Sequence, residues 1–256
     1  MIISNCSLNI LWANTVQDYV FNETTTDFLE KTIERVIKNS RKEVSKALFI
    51  YYAANEEGCE PYLVASMQEI FGDVAIECIE KGREREMIQE SECILIGAGN
   101  MDKLAAGLAG NGPALWEKVL SGTPYIGINA GASFLSSYYN NMGTVSCSEF
   151  PNPGYFPLQF YPGFDPANET NKLRDIFAKR PELKYILGLP TDEEGSGIVL
   201  EESKTGLAGG SIDAGGSEGL PEGTKPLYIF ERDSSGGMKE VPWTMAQRDD
   251  LPLNYM

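Results

Sequence analysis

Histidine is missing from all 256 residues. That zero excludes a His general base, an imidazole metal ligand and a His-operated pH switch. Cysteine is sparse: Cys6, Cys59, Cys78, Cys93 and Cys147 are odd in number and form no C-x-x-C. Their spacing points to neither a disulfide framework nor a zinc knuckle. Basic residues are also few, 21 Lys and Arg against 37 Asp and Glu, giving a net charge of −16. Such a surface repels phosphate backbones and anionic headgroups, so neither nucleic acid nor a membrane is an expected partner. Solubility is the plainer account of so much acid. No apolar run approaches membrane-spanning length, and Met1-Ile2-Ile3-Ser4-Asn5 lacks the basic opening of a secretory leader. These absences together point to a reducing, cytoplasmic compartment.

Hydrophobic residues make up 42% of the chain, enough for one substantial core. No internal repeat or low-complexity linker divides it. We therefore expect one α/β domain over residues 1–231 and a C-terminal tail over 232–256. The chain opens with a short strand over Met1–Ser4 and a polar loop to about Asn22. From Thr25 to Arg41, the residues Phe28, Leu29, Ile33, Val36 and Ile37 fall on one helical face. The near-continuous apolar run Ala47–Ala53 predicts a strand covered on both sides. A helix over Pro61–Phe71, a strand over Val74–Cys78 and a charged helical stretch over Arg83–Gln89 follow. Cys93-Ile94-Leu95-Ile96 predicts a buried strand, with Cys93 as a small core residue. Helices over Asp102–Leu108 and Pro113–Leu120 come next, the second opened by a favourably placed proline. This alternation indicates a mostly parallel, doubly wound sheet flanked by helices.

The second half changes texture. A strand over Leu158–Tyr161 and a helix over Asn168–Lys179 precede short strands at Ile186–Leu189, Gly197–Glu201 and Pro226–Phe230. These predict an antiparallel extension of the sheet in the C-terminal part, with Ala208–Gly223 as a glycine-rich loop. The tail carries Val241, Trp243, Leu251, Leu253 and Tyr255, apolar residues suited to docking on the body or driving self-association.

Gly127-Ile128-Asn129-Ala130-Gly131-Ala132 is the stretch around which the chemistry turns. Pro124-Tyr125-Ile126 before it is β-prone, and Ser133–Tyr139 after it suits the first turns of a helix. Strand, tight corner and helix make the layout of a nucleophile elbow, which presents a reactive Ser or Cys at its tip. Here the tip is Asn129. Its carboxamide nitrogen is no nucleophile, because the lone pair is delocalised into the carbonyl. Asn does tolerate the positive φ that such a corner requires. Gly97-Ala98-Gly99-Asn100 ends the preceding buried strand and lacks the spacing of either phosphate-binding glycine loop, so no nucleotide cofactor is implied. Asp192-Glu193-Glu194 has the look of a solvated acidic turn, and no metal site is expected.

Four ordered blocks carry a family resemblance. They are Ile94–Asn100, Tyr125–Ala132, Phe156–Phe164, and Pro181-Glu182-Leu183 with Leu187-Gly188-Leu189-Pro190. In them the chain resembles the peptidase E family of α-aspartyl dipeptidases, related to cyanophycinase and built on a class I glutamine-amidotransferase-like fold. The resemblance implies a serine peptidase with Ser, His and an acidic residue. Position by position, however, the nucleophile falls on Asn129, the base on Gly163 and the acid on Asn141. It also implies main-chain oxyanion donors near Gly99 and Ala130, which need no side chain. Gly99, Asn100, Asn129 and Ala130 are thus the candidate pocket, with a small acidic peptide as the implied ligand. Of the basic residues expected for acidic substrates, only Lys172 and Arg174 stand near the helix beginning at Glu169. The resulting expectation is a catalytically inactive homologue that binds, regulates or assembles. The alternative is an active dipeptidase or amidohydrolase with a displaced, non-His constellation built on Cys147 or a Ser-Lys pair.

Overall fold

The run Lys46–Ile50 forms strand β2 with its last four residues buried, and Ile94–Ile96 forms β4 with all three buried. A strand hidden on both faces has no polar side to show, hence the unbroken apolar sequence. The computed structural model describes residues 9–14, 29–30, 33–34, 36–38, 40, 43–54, 58–134, 138–140, 147–149, 158–162, 164–189, 196–203, 206–213 and 228–241. Five of its strands lie side by side in parallel, in the order β1 (Asn9–Asn14), β5 (Tyr125–Ile128), β4, β2 and β3 (Ala75–Cys78). On the β1 side, the sheet is extended to seven strands by the antiparallel pair β10 (Ser196–Ser203) and β11 (Gly206–Asp213). The fold is α/β.

Alternate residues of these strands feed opposite layers, as the two-residue period of a strand requires. Leu48, Ile50, Ile94, Ile96 and Tyr125 pack on one side with Leu104, Leu115, Trp116 and Val119. Those partners lie in or beside helices α3 (Met101–Gly107) and α4 (Gly112–Leu120). Ala47, Phe49, Cys93, Leu95, Ile126 and Ile128 pack on the other side. They meet Leu63, Met67 and Ile70 of α1 (Pro61–Phe71) and the helical residues Leu29, Ile33 and Val36. Pro61 starts α1 at a position where its missing N–H is no loss, and Gly72 ends it with a φ of 58°. The charged helix α2 (Glu84–Glu90) tucks Met87 and Ile88 inward.

A second sheet, in the order β13 (Met238–Val241), β12 (Tyr228–Arg232), β9 (Tyr185–Leu189) and β8 (Leu158–Pro162), stands against the first core. Phe160, Leu187 and Ile229 join that core, whereas Tyr161, Ile186, Tyr228 and Phe230 point to the opposite layer. There they meet Leu173, Ile176 and Phe177 of helix α6 (Thr170–Lys179). Arg232 fastens this layer. Its guanidinium donates to the carbonyls of Leu183 at 2.9 Å, Arg180 at 2.7 Å, Gly236 at 3.1 Å and Phe177, and sits 5.0 Å over the Phe177 ring. Two of those carbonyls belong to the C-terminal end of α6, where acceptors lack helical partners and the dipole favours a cation.

Several expectations need correction. The stretch assigned to a polar loop contains β1, whose backbone lies between β5 and β10 near the middle of the main sheet. Its Ile10-Leu11-Trp12 run was the available signal, short and flanked by asparagines. The opening strand at Met1–Ser4 lies outside the described residues. Of the loop expected over Ala208–Gly223, residues 208–213 belong to the strand Gly206–Asp213, because an eight-residue antiparallel register with Ser196–Ser203 supplies its hydrogen bonds despite the glycines, and residues 214–223 lie outside the described residues. Of the helix expected over Ser133–Tyr139, Ser133 and Phe134 are helical, residues 135–137 lie outside the described residues, and Tyr138–Asn140 (β6) pairs antiparallel with Cys147–Glu149 (β7). Tyr pairs suit strands, and a cross-strand partner outweighed local helix preference. The strands at Ile186–Leu189 and Pro226–Phe230 build the second sheet instead of extending the first. Arg232, placed at the start of a tail, closes the β12–β13 hairpin, in which Val241 pairs with Ile229. Finally, Cys59 and Cys78 form a disulfide, a pairing between separate segments that sequence spacing could not announce. Among the described residues no helix is long and apolar enough to cross a membrane.

Candidate functional site

The parallel order places the C-terminal ends of β5 and β4 next to each other, with Ile96 opposite Gly127. The loops leaving those ends are the elbow and Gly97-Ala98-Gly99-Asn100. The chain reverses its winding direction between β4 and β2, since β2 leads outward to β3 while β4 leads back to β5. Ligand crevices in such sheets form beyond the strand ends at a reversal of this kind. Here that reversal is bridged: the Asn100 N–H donates to the Ala53 carbonyl at 2.7 Å. A Cβ on Gly99 would stand 2.6 Å from the Ala53 carbonyl carbon, and Gly99 has a φ of 131°, so no other residue fits. The elbow corner lies one strand over, at the end of β5.

At that corner, Asn129 is the one described non-glycine residue with positive φ, at 50°. Its side chain is half-buried and makes no hydrogen bond among the described residues. Helix α5 (Ala130–Phe134) follows at once and is buried throughout. The Ser133 N–H donates to the Asn129 carbonyl at 3.0 Å, and the Gly131 N–H donates to the Gly97 carbonyl at 3.2 Å. This second bond ties the elbow helix to the neighbouring strand end. The approach is close enough that a Cβ on Gly131 would lie 2.7 Å from the Ile96 carbonyl carbon. Beneath, the buried Tyr125 hydroxyl donates to the Gly131 carbonyl at 2.5 Å. Burial holds that phenol well above its usual titration range, so it stays protonated and stays a donor.

Asn100 caps α3 by accepting from the Lys103 N–H at 3.0 Å. Its carboxamide oxygen is therefore engaged in holding a helix start. The N–H groups of Gly99 and Ala130 make no hydrogen bond among the described residues and remain as main-chain donors on adjacent loops. Gly99, Asn100, Asn129 and Ala130 are thus brought to one end of the sheet. Gly163 and Asn141, the positions matched to base and acid, lie outside the described residues, as do Ser136, Ser137 and Asp192-Glu193-Glu194.

Of the other candidate reagents, Ser133 and Cys93 are poorly placed for chemistry. Ser133 is buried inside α5. Cys93 is fully buried, and burial pushes its thiol up to about 12, far from the thiolate a nucleophile needs. Cys147 falls on β7, at the backbone position opposite Asn140. Lys172 is paired with Glu169 at 2.7 Å, and Arg174 donates to Asn171 at 2.7 Å. The Glu169 carboxylate, which also accepts from Tyr161 at 3.1 Å and from the Asp165 N–H at 3.0 Å, is an organising group that the sequence did not reveal. Its only sequence signal was the i, i+3 spacing to Lys172.

This geometry has counterparts. The model of peptidase family S51 matches residues 22–207. Peptidase E of Nostoc sp. (strain PCC 7120 / SAG 25.82 / UTEX 2576) is 27% identical over 206 residues, covering 73% of this chain and 76% of the relative. Peptidase E of Pasteurella multocida (strain Pm70) is 29% identical over 151 residues, 57% of each chain. The crystal structure of a peptidase from an acI-B1 Actinobacterium superposes with a TM-score of 0.54 at 16% identity, covering 94% of this chain and 97% of its own. At that identity the likeness is one of fold. With the match spanning most of its length, the chain belongs to peptidase family S51.

Proposed function

We propose that this protein is a catalytically inactive member of its peptidase family, whose elbow binds a small ligand and does not cleave it. One observation carries the reading: the corner built to present a nucleophile holds Asn129 at a φ of 50°, in a sequence with no histidine to serve as base. A carboxamide can donate and accept hydrogen bonds, but it cannot attack a carbonyl. Gly163 and Asn141 at the matched base and acid positions extend the same loss. The donors that survive are main-chain N–H groups at Gly99 and Ala130. They suit a carbonyl or carboxylate oxygen, so a small acidic peptide is the ligand class favoured here. The cytoplasm is the proposed location. Assembly through the segment bearing Trp243, Leu251, Leu253 and Tyr255 is a further part of the reading, tested by light scattering of the full chain against one ending at Val241.

The decisive experiment is an assay of the purified protein on Asp-X dipeptides. In serine peptidases the loss of one triad member costs about 10⁴-fold or more in rate, and further losses add little. The expected result is hydrolysis indistinguishable from buffer, with Asn129→Ser alone restoring nothing because no base is present. Turnover clearly above background that disappears on substituting Asn129 overturns the proposal. So does a stoichiometric adduct of a serine- or cysteine-directed probe on one residue, which would favour the displaced constellation.

A further inference from the structure

The disulfide joins two places that matter to the sheet end. Cys78 is the last residue of β3, the edge strand of the main sheet, opposite Phe49 in register. Cys59 lies in the segment between β2 and α1. Their Cα atoms are 6.4 Å apart, and both residues are half-buried. That spacing is ordinary for a bonded pair. Cys93, by contrast, is sealed in the core and cannot meet a small oxidant or reductant.

The same segment begins with the turn Tyr51–Ala54, where the Ala54 N–H donates to the Tyr51 carbonyl at 2.7 Å. This turn supplies the Ala53 carbonyl that accepts from Asn100 and against which Gly99 packs. Ala53 and Ala54 are buried in the two core layers, and two further anchors flank the turn. Tyr52 is anchored toward α2 through its hydroxyl, which donates to Glu84 at 3.0 Å. The chain leaving Ala54 is anchored by Cys59 to the edge strand. Cutting the second anchor removes the covalent one and leaves the Tyr52 bond and core packing.

We propose that the Cys59–Cys78 bond is a redox-operated strap that sets how firmly the Tyr51–Ala54 turn is held against the Gly99-Asn100 loop. The chemistry is thiol–disulfide exchange with a small disulfide such as oxidised glutathione. One cysteine thiolate attacks a glutathione sulfur, a new S–S bond forms and one glutathione thiolate leaves. The second cysteine thiolate then attacks the first cysteine's Sγ in that mixed disulfide, forming the Cys59–Cys78 bond and expelling the second glutathione thiolate. Two protein thiols are oxidised, one glutathione disulfide is reduced to two thiols, and the two protons pass to the departing thiolates. Reduction by excess glutathione runs the same steps backward. The strap acts whether or not the elbow binds a ligand, so its test is separate from the dipeptide assay.

The test is amide hydrogen exchange of the full chain equilibrated in oxidised or in reduced glutathione, with peptide mapping of the crosslink. Oxidised protein is expected to yield a Cys59–Cys78 crosslinked peptide. On reduction the Asn100 amide should exchange about tenfold faster. Losing a crosslink also lowers global stability, so the Leu48 amide, which donates to the Cys93 carbonyl at 2.8 Å in the core, serves as the reference: its exchange should rise steeply with denaturant, whereas the Asn100 acceleration should not depend on denaturant. The double variant Cys59→Ser/Cys78→Ser should behave as the reduced protein in both buffers. Failure to find the crosslink at any glutathione ratio overturns the proposal, as does equal Asn100 exchange in the two states. Asn100 exchange with the denaturant dependence of Leu48 also overturns it, because the bond would then act through global stability alone. The comparison of the unsubstituted protein in two buffers stands even if the double variant does not fold.

Discussion

At the elbow the backbone does most of the holding, with Asn129 in a left-handed turn, Gly131 pressed against Ile96, and the Tyr125 hydroxyl the one side-chain bond to it among the described residues. In the second sheet the reverse applies: one guanidinium, that of Arg232, gathers carbonyls from α6, from the segment after it and from its own hairpin. The first region keeps its shape through what is absent at Cβ, the second through what one long side chain supplies. Under the proposed reading, the contrast explains how the corner persists without its reagents. A hydroxyl at the tip would contribute little to a corner whose geometry is set by backbone sterics, so an Asn there is compatible with the same architecture.

The contrast breaks first at Gly131. Gly131→Ala drives a methyl into the Ile96 backbone, which cannot yield as a side-chain end could. We expect a loss of about 4 kcal/mol, or about 8–16 °C in Tm for a chain of this size, read by thermal unfolding. Next is Arg232→Met, which keeps most of the apolar stem and removes every donor. The stranded carbonyls of Phe177, Arg180 and Leu183 make a cost of about 2–3 kcal/mol the expectation, with hydrogen exchange rising in α6 before it rises in β4. A loss at Arg232 exceeding that at Gly131 would reverse the comparison.

Asn129→Ala sharpens it. A Cβ-bearing residue without Asn's tolerance of positive φ should lose about 1 kcal/mol, while Asn129→Gly should be neutral within about 0.5 kcal/mol by denaturant titration. If the alanine variant is the more stable of the two, the corner is not left-handed in solution.

The smallest effect is electrostatic. Glu92 accepts from the Ser45 N–H at 2.8 Å, the Ser45 hydroxyl at 2.8 Å and the Lys46 N–H at 3.1 Å, and those bonds hold its carboxyl below the usual range. A carboxyl depressed in the folded state stabilises above its unfolded pKa and loses that contribution as pH falls through the folded value. Glu92→Gln should therefore lower Tm slightly at neutral pH and converge with the parent below about pH 4.

The sequence's local signals held wherever neighbours in the chain make the structure. Pro61–Phe71 is a helix with the bounds its proline and apolar spacing indicated, and the Gly-rich corner at Asn129 has the positive φ its residue type allowed. The strands at Ala47 and Cys93 were legible because burial on both faces leaves no alternative but an apolar run. Harder to see were features whose partners lie far away. The backbone of Asn9–Asn14 is held by β5 and β10, more than a hundred residues on, and Gly206–Asp213 is a strand only because Ser196–Ser203 offers a register. Glu169, Arg232 and the Cys59–Cys78 pair follow the same rule, since their worth depends on what the fold brings beside them.

Composition and motif alone determined that no imidazole chemistry operates within these 256 residues, that the fold is α/β, and that the elbow tip carries a carboxamide. Tertiary structure alone decided that the winding reversal is bridged by Asn100 and Ala53, that the N–H groups of Gly99 and Ala130 sit on adjacent strand ends, and that one arginine closes the second layer. Residue identity travels with the chain, but hydrogen-bond partners are assigned only when distant segments meet.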